Sequence, residues 1–530
     1  MVKKIASILA ALLAVGLGPG AQHAAKVHRH PARRRPGSEE VSLPHRGGDI
    51  TAPGGTPFEG LWRLTDMPDW LHAIARPEHL RTTMERSIAE FASGAMALEH
   101  VRPRRSRLKD GVFEGMYELT LKGPGGARRV VCLRGVADPR RSARVEGTSP
   151  GVPFGEDGWR RVVPELRLVL ETAPADTALP ALAILTDASR ARALLEGAIR
   201  AGSPAYADIR IAGCTPRVTR YKPGSRCTVV YRLAYGPEAE GKGWPEVVVA
   251  KIHWGDKGRI AYQGMRALWE SELRWSTAVT IAEPLGFLPE PRVLIQRAVP
   301  GKLRLSDLLE SVLLGDTGTD MEILRDLLAK TARGLAALHG CGARGQVFGW
   351  KQEMAAVRKT VLRLAEWIPG LEGALEPSLA HLESLEALHP PQRPVPSHRS
   401  FRPAQVLLHE GQIAFIDFDG FCEAEPAMDL ALFRVSISRA PMRLGPREGR
   451  PEPSSDHLSE LDGLSDLFLD EYERMAPVSR ERVALWETLY LLESVLKTRK
   501  TLQPERLEGG MALLQHHLRR SPLPPPVIAS

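Results

Sequence analysis

His398, Ser400, Gln405, Asp417 and Asp419 are the residues of this 530-residue chain best placed to do chemistry. They lie within Ser397 to Phe433, which reads S-H-R-S-F-R-P-A-Q-V-L-L-H-E-G-Q-I-A-F-I-D-F-D-G-F-C-E-A-E-P-A-M-D-L-A-L-F. Gln405 offers a neutral side-chain oxygen and Asp417 a carboxylate, the hard donors that Mg²⁺ prefers. Val406 to Leu408 is a short apolar run, His409 to Gln412 reads as a turn, and Ile413 to Ile416 is a second apolar strand. Such a hairpin brings Gln405 and Asp417 to one end. The spacing suits phosphoryl transfer, which needs positioning and charge neutralisation more than covalent chemistry.

A cation is needed opposite those carboxylates. Pro216 to Tyr221 and Cys227 to Leu233 are β-rich runs joined by Lys222 to Arg226, a hairpin signal. Val247 to Lys251 follows as a strand of buried character that ends in lysine. Arg259 to Arg274 has helical period and carries Glu270 and Glu272. Arg292 to Ala298 (R-V-L-I-Q-R-A) is another strand. Glu322 to His339 predicts an amphipathic helix through Leu324, Leu327, Leu328, Ala332, Leu335 and Leu338. His339 is read as a helix-end residue stabilised by the helix dipole, not as a ligand.

Together these elements resemble the aminoglycoside phosphotransferase and choline kinase-like family. Its pattern is H-G-D-x-x-x-x-N, then I-D-[WF]-[DE], then D-L-A, against His398-Arg399-Ser400 with Gln405, Ile416-Asp417-Phe418-Asp419, and Asp429-Leu430-Ala431 here. The resemblance covers roughly residues 205 to 500. It implies the α+β class and a protein-kinase-like two-lobe fold: a small antiparallel sheet as N-lobe, a mainly helical C-lobe, and here an additional α+β N-terminal domain. ATP and Mg²⁺ are the implied cofactors. By the same resemblance Lys251 grips the phosphates, and Glu270 or Glu272 pairs with it. The backbone around Gln296 and Ala298 holds the adenine, Gln405 and Asp417 bind the metal, His398 braces the catalytic loop and Asp429 supports it.

Three positions depart from the pattern: Arg399 for Gly, Gln405 for Asn and Ser400 for the catalytic Asp. Serine is no general base at neutral pH without its own activator. Loss of a positioned base costs about 10²- to 10⁴-fold in rate. Three readings stay open. The chain is a slow or repurposed phosphotransferase acting on a hydroxyl of an unknown small molecule, with Asp419 or His398 orienting the acceptor. Or it is a pseudokinase that binds nucleotide or a partner. Or Ser400 is a lesion in a decaying copy.

Composition is that of a globular protein, 43% hydrophobic and 25% charged, with room for two or three domains. The net charge of +8 suits anionic ligands such as nucleotide. No RNP, zinc or helix-turn-helix signature accompanies the clusters Arg33 to Arg35 and Arg102 to Arg105, so nucleic acid is not expected. The five cysteines are scattered without a C-x-x-C pair, which argues against a disulfide scaffold or zinc site and suits a reducing compartment. Met1 to Lys4 followed by apolar Ile5 to Leu17 has the length of a signal peptide and is short for a membrane span. It reads as a signal, an anchor or a start-site artefact. Membrane contact is expected only if it is retained, and the body is expected in the cytoplasm, where ATP is.

The expected divisions are 1–56 (signal-like segment and basic linker), 57–200 (N-terminal domain), 201–300 (N-lobe), 301–520 (C-lobe) and 521–530 (tail). Pro174 to Arg200, with Leu179-Pro180-Ala181-Leu182 before an amphipathic helix, reads as a connector. Within 57–200, Arg107 to Gly111, Tyr117 to Leu119 and Val130 to Arg134 echo Arg220 to Gly224, Tyr231 to Leu233 and Val248 to Lys251, as a duplicated N-lobe that lost its lysine would. Amphipathic helices are predicted over Ser454 to Met475, Ser479 to Arg499 and Glu505 to Leu518, with Ser455 and Ser479 as N-caps.

Overall fold

The computed structural model describes residues 56–123, 126–138, 152–172, 179–222, 224–315, 321–444, 455–503 and 506–523. The signal-like segment, nearly all of the basic linker and the tail from 524 lie outside the described residues.

Alternating apolar residues build a first antiparallel sheet from β1 (Ala97–Lys109), β2 (Val112–Lys122), β3 (Arg128–Ala137), β4 (Arg160–Val163) and β5 (Leu168–Thr172). In β2, Phe113, Tyr117, Leu119 and Leu121 point into the core, the period of two that a half-buried strand requires. Asp110 and Gly111 both have positive φ, which closes the β1–β2 hairpin with the twist its strands need. A second sheet uses β6 (Gly213–Lys222), β7 (Arg226–Ala234), β8 (Val247–His253), β10 (Pro284–Leu288) and β11 (Val293–Arg297); the short β9 (Thr280–Ile281) lies elsewhere.

The strand orders are β1-β2-β3-β5-β4 and β10-β11-β8-β7-β6. Counting each sheet's own strands, both run 1-2-3-5-4. A helix precedes each sheet and packs across its first and fourth strands: α1 (Pro77–Ser87) on β1 and β4, α2 (Ala188–Gly202) on β6 and β10. The residue-level echo is not kept. Arg134 stands one position beyond Leu133, the partner of Tyr117, whereas Lys251 stands three beyond Val248, the partner of Tyr231. Arg134 is also bound inside its own sheet by Glu114 and Glu171. The amphipathic helix expected within the Pro174 to Arg200 connector is α2, and it does more than connect: its Leu195, Ala198 and Ile199 are buried in the core of the second sheet.

The rest is mainly helical. After α3 (Lys257–Trp269) come β12 (Leu303–Arg304), α4 (Met321–Gly340), α5 (Trp350–Ala365), α6 (Leu371–Leu388), β13 (Val395–Ser397), β14 (Val406–His409), β15 (Gln412–Phe415), β16 (Cys422–Ala424), α7 (Pro426–Ser438), α8 (Ser455–Glu473), α9 (Arg480–Lys500) and α10 (Leu507–Arg520). The expected hairpin is β14–β15, and the Ile416 amide donates to the Gln405 carbonyl at its end. Ser479 caps α9, accepting from the Arg482 amide. The first sheet shares a continuous core with this helical part, while the second sheet and α2 have their own. The chain entering the first sheet docks on α6. Ser378 Oγ donates to the Pro57 carbonyl at 2.6 Å, Trp70 meets Trp367, and Gly60 lies so close to Ala374 that a Cβ would fall 1.8 Å from its carbonyl oxygen. All five cysteines are free thiols.

One buried ion pair ties α9 to the start of α7. Arg482 Nε donates to Glu425 Oε2 at 2.8 Å, its Nη2 also bonds that carboxylate, and Trp486 Nε1 donates to Glu425 Oε1 at 2.6 Å. Removing one partner strands a charge away from water. Arg482→Met is expected to cost about 3–5 kcal/mol in urea unfolding, and adding Glu425→Gln to recover part of it. An unchanged midpoint in the single variant would contradict this.

Candidate functional site

The loop carrying His398 and Ser400 is held from below by α7. Asp429, in the first turn of α7, is fully buried; its Oδ2 accepts the His398 amide at 2.6 Å and its Oδ1 the Arg399 amide at 2.8 Å. Behind it stands His339, with Nε2 3.5 Å from Asp429 Oδ2 and Nδ1 2.7 Å from the Tyr472 hydroxyl. His339 lies in the last turn of α4, the helix-end position expected from the sequence. It is buried, and its ring spaces α4 and α8 against the Asp429 carboxylate. Arg399 takes the left-handed conformation (φ 64°) and lays its guanidinium over the Phe348 ring at 3.6 Å.

His398 is closed to solvent and faces Phe418 and Phe401. Its Nε2 lies 2.9 Å from the Ile416 carbonyl, which can only accept. Nε2 thus carries the proton, and Nδ1 turns a lone pair to Ser400 Oγ at 3.3 Å. Burial pushes the imidazole below its ordinary value, against the opposing field of Asp429.

Above this loop, the turn Asp417 to Gly420 meets the second sheet. Asp417 is also left-handed (φ 72°), a strain of the kind concentrated at functional positions. Lys251 Nζ reaches down from β8 and donates to Asp417 Oδ1 at 2.9 Å and Asp419 Oδ1 at 2.8 Å, bridging 166 and 168 residues of sequence. Burial opposes the ammonium, but the two carboxylates raise its pKa above the ordinary lysine value. Burial alone would raise the Asp417 carboxyl; Lys251 overrules it and holds the group well below the usual carboxylate range. His253, two residues beyond Lys251, places Nε2 3.3 Å from Asp419 Oδ2 without the alignment of a hydrogen bond. Both atoms are buried without a hydrogen-bond partner among the described residues.

Lys251, Asp417, Asp419, His398 and Ser400 are thus gathered in one region. Gln405 is close by and buried. In the orientation that satisfies its amide, it donates to the Arg402 carbonyl and accepts from Arg402 Nη2, each at 3.2 Å. Its oxygen is engaged by a neighbour, so the oxygen donors that converge are those of Asp417 and Asp419. Two carboxylates with one buried unpartnered oxygen fit Mg²⁺, which takes one or two carboxylates and completes its shell with water and phosphate.

One expectation fails. Neither Glu270 nor Glu272 reaches Lys251. α3 ends at Trp269, Glu270 turns to solvent and pairs with Arg266, and Glu272 is exposed in the following 3-10 turn. No residue of α3 is acidic, so the counter-charges of Lys251 come from the Asp417 turn. In the strand expected to lie under adenine, the Ala298 amide donates to the Val247 carbonyl at 2.9 Å. Gln296 is buried mid-ladder, opposite Val249 and Pro284, with Oε1 unpartnered among the described residues. Sequence reading missed His253 and Tyr472. A histidine two residues past a strand lysine is the one signal that was available for the first.

Residues 267–477 match the phosphotransferase enzyme family, the family that the sequence motifs resemble. No curated protein matches the sequence. Among solved structures, a choline kinase from Cryptosporidium parvum is 11% identical, covering 62% of this chain and 94% of its own, with a TM-score of 0.42. An aminoglycoside 2'-phosphotransferase in complex with GDP is 14% identical over 62% of this chain and 98% of its own, TM-score 0.39. A glucosamine kinase is 16% identical over 79% and 91%, TM-score 0.41.

Asp429→Asn keeps the size of the side chain but turns one acceptor into a donor facing an amide. The expected cost is about 1–3 kcal/mol in chemical unfolding, from a buried amide left unpaired. An unaltered stability would contradict the supporting role. A pH effect follows from the depressed imidazoles of His253 and His398. Below the ordinary histidine value the unfolded chain binds protons that the folded chain refuses, so stability falls with acidification. Asp417 adds nothing in that window, because its stabilisation is lost only below the usual carboxylate range. Tm is expected to drop between pH 7.5 and 5.5, with a shallower slope in His253→Gln; a Tm rising on acidification would contradict the assignment.

Proposed function

Starting from the match of residues 267–477 to the phosphotransferase enzyme family, we propose that this protein is an ATP- and Mg²⁺-dependent phosphotransferase acting on a hydroxyl of a small molecule. One observation carries the reading. A buried ammonium from a β-strand is held between two carboxylates of a loop more than 160 residues away, beside a second loop anchored by a buried aspartate. Phosphoryl transfer asks for those parts: a cation for the phosphates, carboxylates for the metal and a loop that presents the acceptor. Lys251 would move from the carboxylates to the phosphate oxygens. Asp417 and Asp419 would hold the Mg²⁺, which neutralises charge developing on the bridging oxygens.

Ser400 favours a second reading, a pseudokinase that binds nucleotide without passing its phosphoryl group to another molecule. A cytoplasmic location belongs to the proposal too, since ATP is there and the free thiols suit a reducing compartment. No helix among the described residues is long and apolar enough to cross a membrane.

Calorimetry with MgATP on the full chain tests the nucleotide site. Binding is expected, lost or made metal-independent in Asp417→Ala, and weakened in Lys251→Met. Absence of binding in the parent sinks both readings. Ser400→Asp then separates them: ATP turnover about 10²-fold or more above the parent marks a site lacking only its base, and no gain marks the pseudokinase.

A further inference from the structure

We propose that Ser400 is itself a phosphoryl acceptor, so that the chain phosphorylates its own catalytic loop. The inference rests on the nucleotide site proposed above and assigns its first acceptor.

The geometry is that of an activated nucleophile: a hydroxyl within reach of a base, and the base oriented by a third group. Ser400 Oγ is 3.3 Å from His398 Nδ1, and the Ile416 carbonyl fixes the tautomer by taking the proton on Nε2. Since the His398 lone pair faces Ser400, the serine hydrogen is directed inward and the oxygen lone pairs are left for an electrophile. Ser400 is half-buried, whereas His398 is fully enclosed, so the hydroxyl is the accessible end of the pair. Asp417 is the next residue after the Ile416 carbonyl that orients the base. The Asp417–Gly420 turn also packs on the serine loop: a Cβ on Gly420 would lie 3.5 Å from the His398 carbonyl oxygen and 3.6 Å from Arg399 Cβ. A hydroxyl built into the chain beside the metal carboxylates meets the γ-phosphorus at an effective concentration no free acceptor reaches.

In the step, Ser400 Oγ attacks the γ-phosphorus and the Oγ–P bond forms. The bond from that phosphorus to the β,γ-bridging oxygen breaks, and ADP leaves with its electron pair. The serine proton passes to His398 Nδ1 and from there to an oxygen of the new phosphoryl group, the solvent-facing end of the pair. The products are phosphoserine and ADP.

The test is the full chain incubated with MgATP, followed by intact mass and peptide mapping, with nucleotide binding measured in parallel. The expected result is one phosphoryl group on the peptide containing residue 400. It should form with a rate constant independent of protein concentration. It should be absent in Ser400→Ala and Asp417→Ala, and recovered as phosphothreonine in Ser400→Thr. His398→Gln should slow it about 10²-fold while nucleotide binding persists. A parent that binds MgATP and stays unmodified overturns the inference alone, as does equal labelling of Ser400→Ala. A parent that does not bind MgATP overturns it together with the reading beneath it.

Discussion

A lysine ammonium taken out of water must be paired, and Lys251 is paired twice. The requirement governs the architecture around it. β8 has to end where the Asp417 turn begins, so the second sheet and the helical part must close on each other with both carboxylates on one cation. The acid that might have come from a helix beside the sheet is missing from α3, and the Asp417 turn supplies both counter-charges instead. The left-handed backbone at Asp417 is the local consequence, since it aims a carboxylate at the lysine from the mouth of a hairpin.

That turn has to be held from behind, and the means are again buried polar groups that are fully engaged. Asp429 fixes two successive amides of the serine loop, His339 and Tyr472 close the space beneath it, and Glu425 with Arg482 and Trp486 locks the start of α7 to α9. Each arrangement is costly to break, because the partner left behind cannot reach water. Stability and site geometry are therefore supported by the same residues. His253 and Asp419 are the exception: two buried atoms face each other without a hydrogen bond, next to the lysine. A site that must release a cation to a phosphate and accept a metal needs groups whose bonding is incomplete.

The N-terminal part repeats the strand order of the second sheet, helix included, without its charge. Arg134 is neutralised within the sheet by Glu114 and Glu171, so nothing is left to reach out as Lys251 does. Instead this part merges its core with the helical lobe through Phe58, Trp70 and the close contact at Gly60. It is a structural member of the body that carries the serine loop.

The sequence by itself determined what depends on near neighbours. The β14–β15 hairpin, the strands on either side of the Lys222–Arg226 turn, the strand that carries Lys251, α4 and the Ser479 cap of α9 follow from period, turn residues and capping, all read within a few positions. The supporting place of Asp429 was legible through resemblance. Only the tertiary structure decided which charges meet. Lys251 chose Asp417 and Asp419 over Glu270 and Glu272, because a helix end exposed the glutamates while the turn after β15 brought the half-buried aspartates to the ammonium. His339 became a buried spacer, Gln405 turned to Arg402, and α2 joined the second sheet's core. Pairing of buried charges depends on distance in space, which no spacing along a chain specifies.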